Sequence, residues 1–390
     1  MKIKTMCALT GIGIAGVALN ISAIVPTDRM VAQASVRTFA DFEAVPPIHT
    51  LAGAGTTAKP EGMTPTQIKT AYLLPATGGS GTIAIISAYE HPALENDLAV
   101  FDKQFKLATC SIANKCLTIH DMKTATSSGK AATNAGWDLE SALDSQWAHA
   151  IAPKAKILVV ESASTKGADL MKAVDYARSQ PGVISVSMSW GGDEFSDEKT
   201  LDSHFEATGT AFFASSGDDG TGASWPAASP YVIGVGGTSL VMTNTGTTAK
   251  FSSEKAWSGS GGGVSGFETE PTFQKTYSIT RDVNMRAIPD VSYAADPQHG
   301  FSVYHAGWYV IGGTSAGAPQ WAAIAALGIG GTKKYPISLS ELYKDKASSV
   351  YGIYFRDITS GTNGTCGFYC AARTHYDYVT GLGSPITDHF

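Results

Sequence analysis

Charge is scarce in this chain of 390 residues: only 16% are Asp, Glu, Lys or Arg, and the balance is −6. A protein that tracks a phosphate backbone needs clustered cations. No basic cluster occurs beyond Lys333–Lys334, so nucleic-acid binding is set aside. Cysteine is scarce too. Cys7 stands alone near the start, and the rest form two close pairs, Cys110 with Cys116 and Cys366 with Cys370. An even set in an exported chain points to disulfides, each closing a small loop. A four-thiolate metal site is the alternative, and it is disfavoured by the spacing within each pair and the long separation between pairs.

Long apolar runs are missing except for one, from Met6 to about Val25. Lys2 and Lys4 precede it, and Ala32-Gln33-Ala34 follows as a small-x-small site. This reads as a secretory signal peptide over residues 1–34, with an uncleaved anchor as the alternative. The expected location is therefore extracellular, with no membrane insertion once the leader is gone. Residues 35–62 are polar and rich in Pro, Gly and Thr, and read as a linker or short pro-segment. The 42 glycines and 43% hydrophobic content suit one large globular domain over residues 63–390, taken as a monomer.

What is present is an alternation of strands and helices. Thr64-Pro65 opens a helix with a cap and a proline at its first position. Thr82–Ala88, Lys156–Ser162, Val183–Ser189, Thr210–Ser216 and Tyr231–Gly236 are apolar runs of strand length. Helices are expected over Pro92–Phe105, Gly136–Ile151, Gly167–Gln180 and Glu194–Thr208. The second carries the stripe Leu139, Leu143, Trp147, Ile151. Thr245–Gly266 reads as hairpin or loop. The pattern predicts an α/β fold with a mostly parallel sheet covered on both faces. In such sheets functional groups collect at the carboxyl ends of strands. Three loops qualify: Ser189–Gly192, Ser215–Gly220 and the turn before Ser315.

Ile311-Gly-Gly-Thr-Ser-Ala-Gly-Ala-Pro319 places Ser315 among small residues at the mouth of an apolar helix, Gln320–Leu327. That arrangement suits an exposed nucleophile, because glycines admit a substrate and a helix N-terminus favours developing negative charge. It equally suits a capping turn. A histidine base is absent from the expected context: there is no His-Gly-Thr after a strand, His299-Gly300-Phe301 sits in a polar loop, and His149 reads as packed or solvated. Carboxylates do better. Glu140 and Asp144 are four apart on one helix, hence on one face. Two adjacent carboxyls cannot both ionise easily, so one holds a proton and the pair can pass it. Asp218 follows a strand in a Gly-Asp-Asp-Gly turn. Read singly, these are surface acids and a turn aspartate.

Together, Glu-x-x-x-Asp, Ser-Ser-Gly-Asp and Gly-Thr-Ser-x-x-x-Pro in this order resemble the sedolisin (serine-carboxyl) peptidases, relatives of kumamolisin. The resemblance runs from about Met63 to Pro385. Gly62–Gln67, Ala152-Pro153, Ser187–Gly191, Pro289–Ser292, Ala295–Pro297 and Thr380–Pro385 also carry it. It implies a subtilisin-like α/β fold and an acid-acting endopeptidase. Ser315 would be the nucleophile, Glu140 its base, Asp144 the partner sharing its proton, and Asp218 an oxyanion donor. A carboxyl donates only when protonated, so such a site works best in acid. The backbone of Ser189, Trp190 and Gly191 would pair with an extended peptide or protein substrate.

The resemblance also implies one Ca²⁺ near the C-terminus, held by Asp357, Ile358, the loop Arg373-Thr-His375 and Asp377. Here the chain departs from the family, whose Gly-x-Gly-x-Asp becomes Arg373-Thr-His375-Tyr-Asp377. Cys366–Cys370 would brace this loop instead. A second departure is at the front: only about 28 residues separate Ala34 from Met63, too few for a folded pro-domain. Asn363-Gly-Thr365 is a glycosylation sequon. Two rivals stand beside this reading. One is an α/β-hydrolase esterase, since Gly313–Gly317 fits Gly-x-Ser-x-Gly and Asp357 and His375 follow in order. The other is a silent binding protein on the same fold.

Overall fold

The computed structural model of the protein describes residues 37–51, 56–123, 134–244, 248–278, 281, 284–328, 337–346 and 351–386. The leader, with Cys7, and the Lys333–Lys334 pair lie outside the described residues. The strands that build and border the site are, in chain order, β1 (His49–Thr50), β2 (Thr82–Ala88), β3 (Leu117–Asp121), β4 (Lys156–Ser162), β5 (Val183–Met188), β6 (Ala211–Ser215), β7 (Val232–Thr243), β8 (Lys250–Ala256), β9 (Val291–Ala294), β10 (Phe301–Tyr304) and β11 (Trp308–Gly312). The main helices are α1 (Pro65–Ala71), α2 (Leu94–Phe105), α3 (Ala135–Ile151), α4 (Gly167–Ser179) and α5 (Gly317–Gly328).

Side chains along β2 alternate between two cores. Ile83 and Ile85 enter one, Ala84 and Ile86 the other, as a two-residue period demands. The continuous apolar runs are therefore strands buried on both faces. They assemble one eight-stranded sheet in the order β8-β7-β6-β5-β2-β4-β3, with β9 beside β7. Every neighbouring pair is parallel except β8 with β7. α3 and α5 fill one core with Leu143, Trp147, Trp321 and Ile324. α4 fills the other with Leu170 and Val174. α1 starts as expected, with the Thr64 side chain accepting from the Gln67 N–H and Pro65 in the first turn. Both cysteine pairs are disulfides, with Cα atoms 5.0 and 5.2 Å apart.

Two segments differ from expectation, and a third takes the expected hairpin form. Residues 194–208 form no α-helix; a 3₁₀ segment, Glu198–Phe205, takes their place. Glu198 is turned inward, where its carboxyl accepts from the Phe195 N–H at 3.0 Å, and Thr, Asp, Ser and His in this run are weak helix formers. β7 runs on to Thr243, past the expected end at Gly236. β8 returns along it from Lys250, so the polar stretch after Thr243 is a hairpin whose residues 245–247 lie outside the described residues.

α3 is buried almost all round, not on one stripe. It lies between the sheet, α2, α5 and the β10–β11 hairpin. Trp147 Nε1 donates to the Ser302 carbonyl at 3.0 Å. Gln146 Nε2 donates to the Tyr304 carbonyl at 2.7 Å, and its Oε1 accepts the Tyr304 N–H at 2.9 Å. That hairpin runs directly into Ser315, so α3 and the serine turn are tied together. His149, also on α3, is buried against the Ala108 carbonyl at 2.7 Å. No helix among the described residues is long and apolar enough to cross a membrane.

Candidate active site

Four elements converge on Ser315. It sits in a short 3₁₀ turn, Thr314–Ala316, between β11 and α5, and is fully buried. Gly313 enters the turn at φ 121°, a backbone conformation that favours glycine. A Cβ there would lie 2.6 Å from Asp218 Oδ2, so the position must stay bare for the two loops to meet. Ser189 follows β5, and Asp218 follows β6, both at the carboxyl ends of parallel strands. Glu140 and Asp144 come from α3, each 1% exposed. The acids that singly read as surface groups are therefore interior.

The carboxyl pair is linked to the serine turn on both sides. The Ser189 hydroxyl lies 2.8 Å from Asp144 Oδ1 and 3.1 Å from the Ser315 carbonyl. Neither Glu140 oxygen has a partner at hydrogen-bonding geometry; Asp144 and Ser315 are among the neighbours that act on its carboxyl. Burial first, then the neighbouring Asp144, holds Glu140 well above the usual carboxylate range. Burial also raises Asp144, opposed by the Ser189 hydroxyl bonded to it and by the neighbouring Glu140 carboxyl. The pair titrates as a unit and favours keeping a proton.

Asp218 is held from one side. Its Oδ1 accepts the Thr314 N–H at 2.8 Å and the Thr314 hydroxyl at 2.7 Å. Its Oδ2 faces the cleft, 3.1 Å from His49 Nε2. Burial raises the carboxyl, opposed by the bonds to His49 and Thr314. The cleft, about 560 Å³, is lined by the run Ser215–Ser224 and by residues of the 45–49 segment.

Sequence reading missed two participants. Thr314 binds Asp218 and also accepts the Gly217 N–H at 3.2 Å, so it locks the nucleophile turn to the acid turn; its only signal was adjacency to Ser315. The 45–49 segment, expected within a linker or short pro-segment, is docked in the cleft, and nothing in its composition announced where it would lie.

The residues expected to hold calcium are elsewhere, and they do not fit the ion as arranged. Calcium needs six or more oxygens. Here both Asp357 oxygens accept the His375 N–H, at 3.1 and 2.9 Å. Asp377 accepts N–H groups of Arg373, Val379 and Thr380 at 2.8–2.9 Å. The loop thus aims amides where a calcium cage needs carbonyls. Arg373 turns its guanidinium over the Phe368 ring, 4.5 Å from the centroid. Ile358 packs into a small core with Ala256, Ala372 and Val379. Burial pushes Asp377 up to about 7, against the bonds from Arg373, Thr380 and Val379. Adding Ca²⁺ is expected to leave the Tm unchanged; a clear calcium-dependent rise would show that the loop reorganises around the ion.

His375 and Asp357 are engaged with each other, while the hydroxyl of Ser315 lies 3.5 Å from the Ser189 carbonyl. The serine's surroundings are carboxyls, as a hydrolase elbow would not have.

Comparison with known proteins agrees with this geometry. Sedolisin from Pseudomonas sp. (strain 101) is 29% identical over 282 residues, which cover 64% of this chain and 47% of sedolisin. Kumamolisin from Bacillus sp. (strain MN-32) is 32% identical over 292 residues, covering 64% and 50%. The chain thus spans about half the length of the curated relatives it matches. Among solved structures, Pseudomonas sedolisin, a serine-carboxyl proteinase complexed with two molecules of pseudo-iodotyrostatin, superposes with a TM-score of 0.69 at 26% identity, over 85% of this chain and 96% of that one. The fold is therefore the subtilisin-like α/β fold. The profile of the subtilase family matches residues 88–347, well over half the chain, and the chain belongs to that family.

Proposed function

We propose that this protein is an exported serine-carboxyl endopeptidase that hydrolyses peptide bonds in acid. The observation that carries the reading is Glu140: buried, with both oxygens unpartnered, beside Ser315 and Asp144. A buried polar group without a partner costs stability, and its placement at a serine is what proton transfer needs. The likeness to sedolisin and kumamolisin supports the same reading.

Ser315 Oγ gives its proton to Glu140 as it bonds to the substrate carbonyl carbon. Asp144, anchored by Ser189, keeps the remaining proton of the pair. The oxyanion that forms lies between the Ser315 N–H and the protonated Asp218. Glu140 returns its proton to the leaving amine, and water repeats the sequence to free the acyl group. An ionised Asp218 repels the oxyanion, so activity belongs to the acid side.

The test is incubation with denatured protein from acid to neutral pH. Peptide release is expected from the parent and absent from Ser315→Ala. No serine-dependent cleavage at any pH would overturn the reading.

A further inference from the structure

Two histidines and an aspartate that the mechanism does not use meet outside the active site. His91 follows β2, Asp97 lies in the first turn of α2, and His305 is at the tip of the β10–β11 hairpin. Asp97 Oδ2 lies 2.8 Å from His305 Nδ1 and 3.5 Å from His91 Nε2. The three atoms that could hold an ion fall within 4.8 Å of one another. The two imidazole rings stand perpendicular, with centroids 5.0 Å apart. The side chains of His91 and Asp97 are buried, while that of His305 keeps one edge at the surface. A further acid, Asp138 in the first turn of α3, is near enough for the charges of His305 and Asp97 to act on its carboxyl.

We propose that His91, Asp97 and His305 bind one divalent ion of the zinc class, with Asp138 or a water in the fourth place, and that the ion clamps the hairpin tip to α2. The observation that points to a ligand is His91 Nε2, buried and without a hydrogen-bond partner. A histidine that merely packs in the core is expected to pair that atom, because an unpaired buried polar group costs stability. Zinc bonds of about 2.0 Å to nitrogen and oxygen place tetrahedral ligand atoms about 3.3 Å apart. His91 and Asp97 are already near that spacing, and the closer His305–Asp97 contact opens as the ion comes between them. Two imidazoles and a carboxylate favour zinc over calcium or magnesium, which prefer all-oxygen shells. Binding also moves protons in a defined way. His91 Nδ1 accepts the Ala93 N–H at 3.2 Å, so the neutral ring carries its proton on Nε2. The ion takes that place, the ring proton shifts to Nδ1, and this one long bond is given up. At His305 the ion displaces the Nδ1 proton, and the ring stays protonated on Nε2. The clamped hairpin continues through β11 to Ser315, but the site itself does not depend on the peptidase reading.

The test uses the full chain as Ser315→Ala, which removes any self-digestion. Protein freed of metal and desalted is titrated with Zn²⁺. One ion per chain is expected, with a Kd of about 1 μM or tighter, and excess Ca²⁺ or Mg²⁺ should not compete. Zinc at a hundredfold excess over Kd should raise the Tm by several degrees. Co²⁺ in place of zinc should give the intense visible bands of a tetrahedral ion. His305→Ala, at the hairpin tip, should weaken zinc binding at least about 100-fold, beyond the usual effect of losing an outer-shell partner. Asp97→Asn keeps the side-chain shape and should weaken it similarly, so the test survives if either variant fails to fold. Zinc binding as tight in the variants as in the parent overturns the site, and so does a weakly absorbing, octahedral cobalt spectrum. Amide exchange along β10 and β11 should slow on zinc loading; unchanged exchange overturns the clamp.

Discussion

Replacing Glu140 with Gln is expected to lower kcat/KM on the order of 10⁴-fold, the scale seen when one member of a serine–base unit is removed. The amide keeps the shape of the side chain but cannot take the proton of Ser315. Stability should move the other way. Glu140 binds its proton more tightly folded than unfolded, because burial and Asp144 raise it. For an acid raised in this way, stability is greatest at low pH and is lost as pH rises from the ordinary carboxylate value toward the folded one. Gln removes that loss. The variant should therefore melt no lower than the parent at neutral pH while being nearly inactive. Thermal melts and initial rates of the variant and the parent check the two halves. Retained activity, within about tenfold of the parent, would remove Glu140 from the base role.

Asp218→Ala is expected to cost about 10²- to 10³-fold in kcat, the usual effect of deleting one oxyanion donor. Asp218→Asn is more informative. The aspartic acid donates only while protonated, so its contribution is present below its pKa and lost as pH rises through it. Burial raises that pKa, extending the active range upward from the ordinary aspartate value. An asparagine amide donates at every pH. The parent profile should thus fall at high pH as Asp218 ionises, and at low pH as the Glu140–Asp144 pair takes up its second proton. Asp218→Asn should keep the low-pH limb and lose the high-pH one. An unchanged high-pH limb in that variant would assign the fall to another group.

Much of this was legible in the sequence because it depends on local pattern. The runs Thr82–Ala88 and Lys156–Ser162 had to be strands buried on both faces, and an i, i+4 acid pair on one helix had to share a face. What a pattern cannot show is depth. Glu140 and Asp144 read as surface acids because their burial comes from α5, α2 and the β10–β11 hairpin, none of them near in sequence. β3 was missed for a related reason: Leu117–Asp121 is an edge strand with only Leu117 fully buried, so it lacks an apolar run. Val45, Pro47 and His49 were illegible because backbone pairing places them, and backbone pairing leaves no trace in side-chain composition. The calcium expectation came from resemblance alone, and the amides that now face Asp357 and Asp377 depend on the turn at His375, where φ is 65°.

The docked 45–49 segment and its neighbour Ala44 are paired on two sides, Ala44 with Thr165 and Val45 with Gly191, and this has a consequence for the protein as a solute. With that segment in place, the backbone around Thr165 and Gly191 is covered. Without it, two backbone edges about 10 Å apart, twice the strand spacing, would stand open with unpaired N–H and C=O groups, and free edges of this kind are templates for joining other chains. A working cleft is thus also an adhesive one. Ala44 and Val45, by covering both edges, keep concentrated protein from sticking to itself.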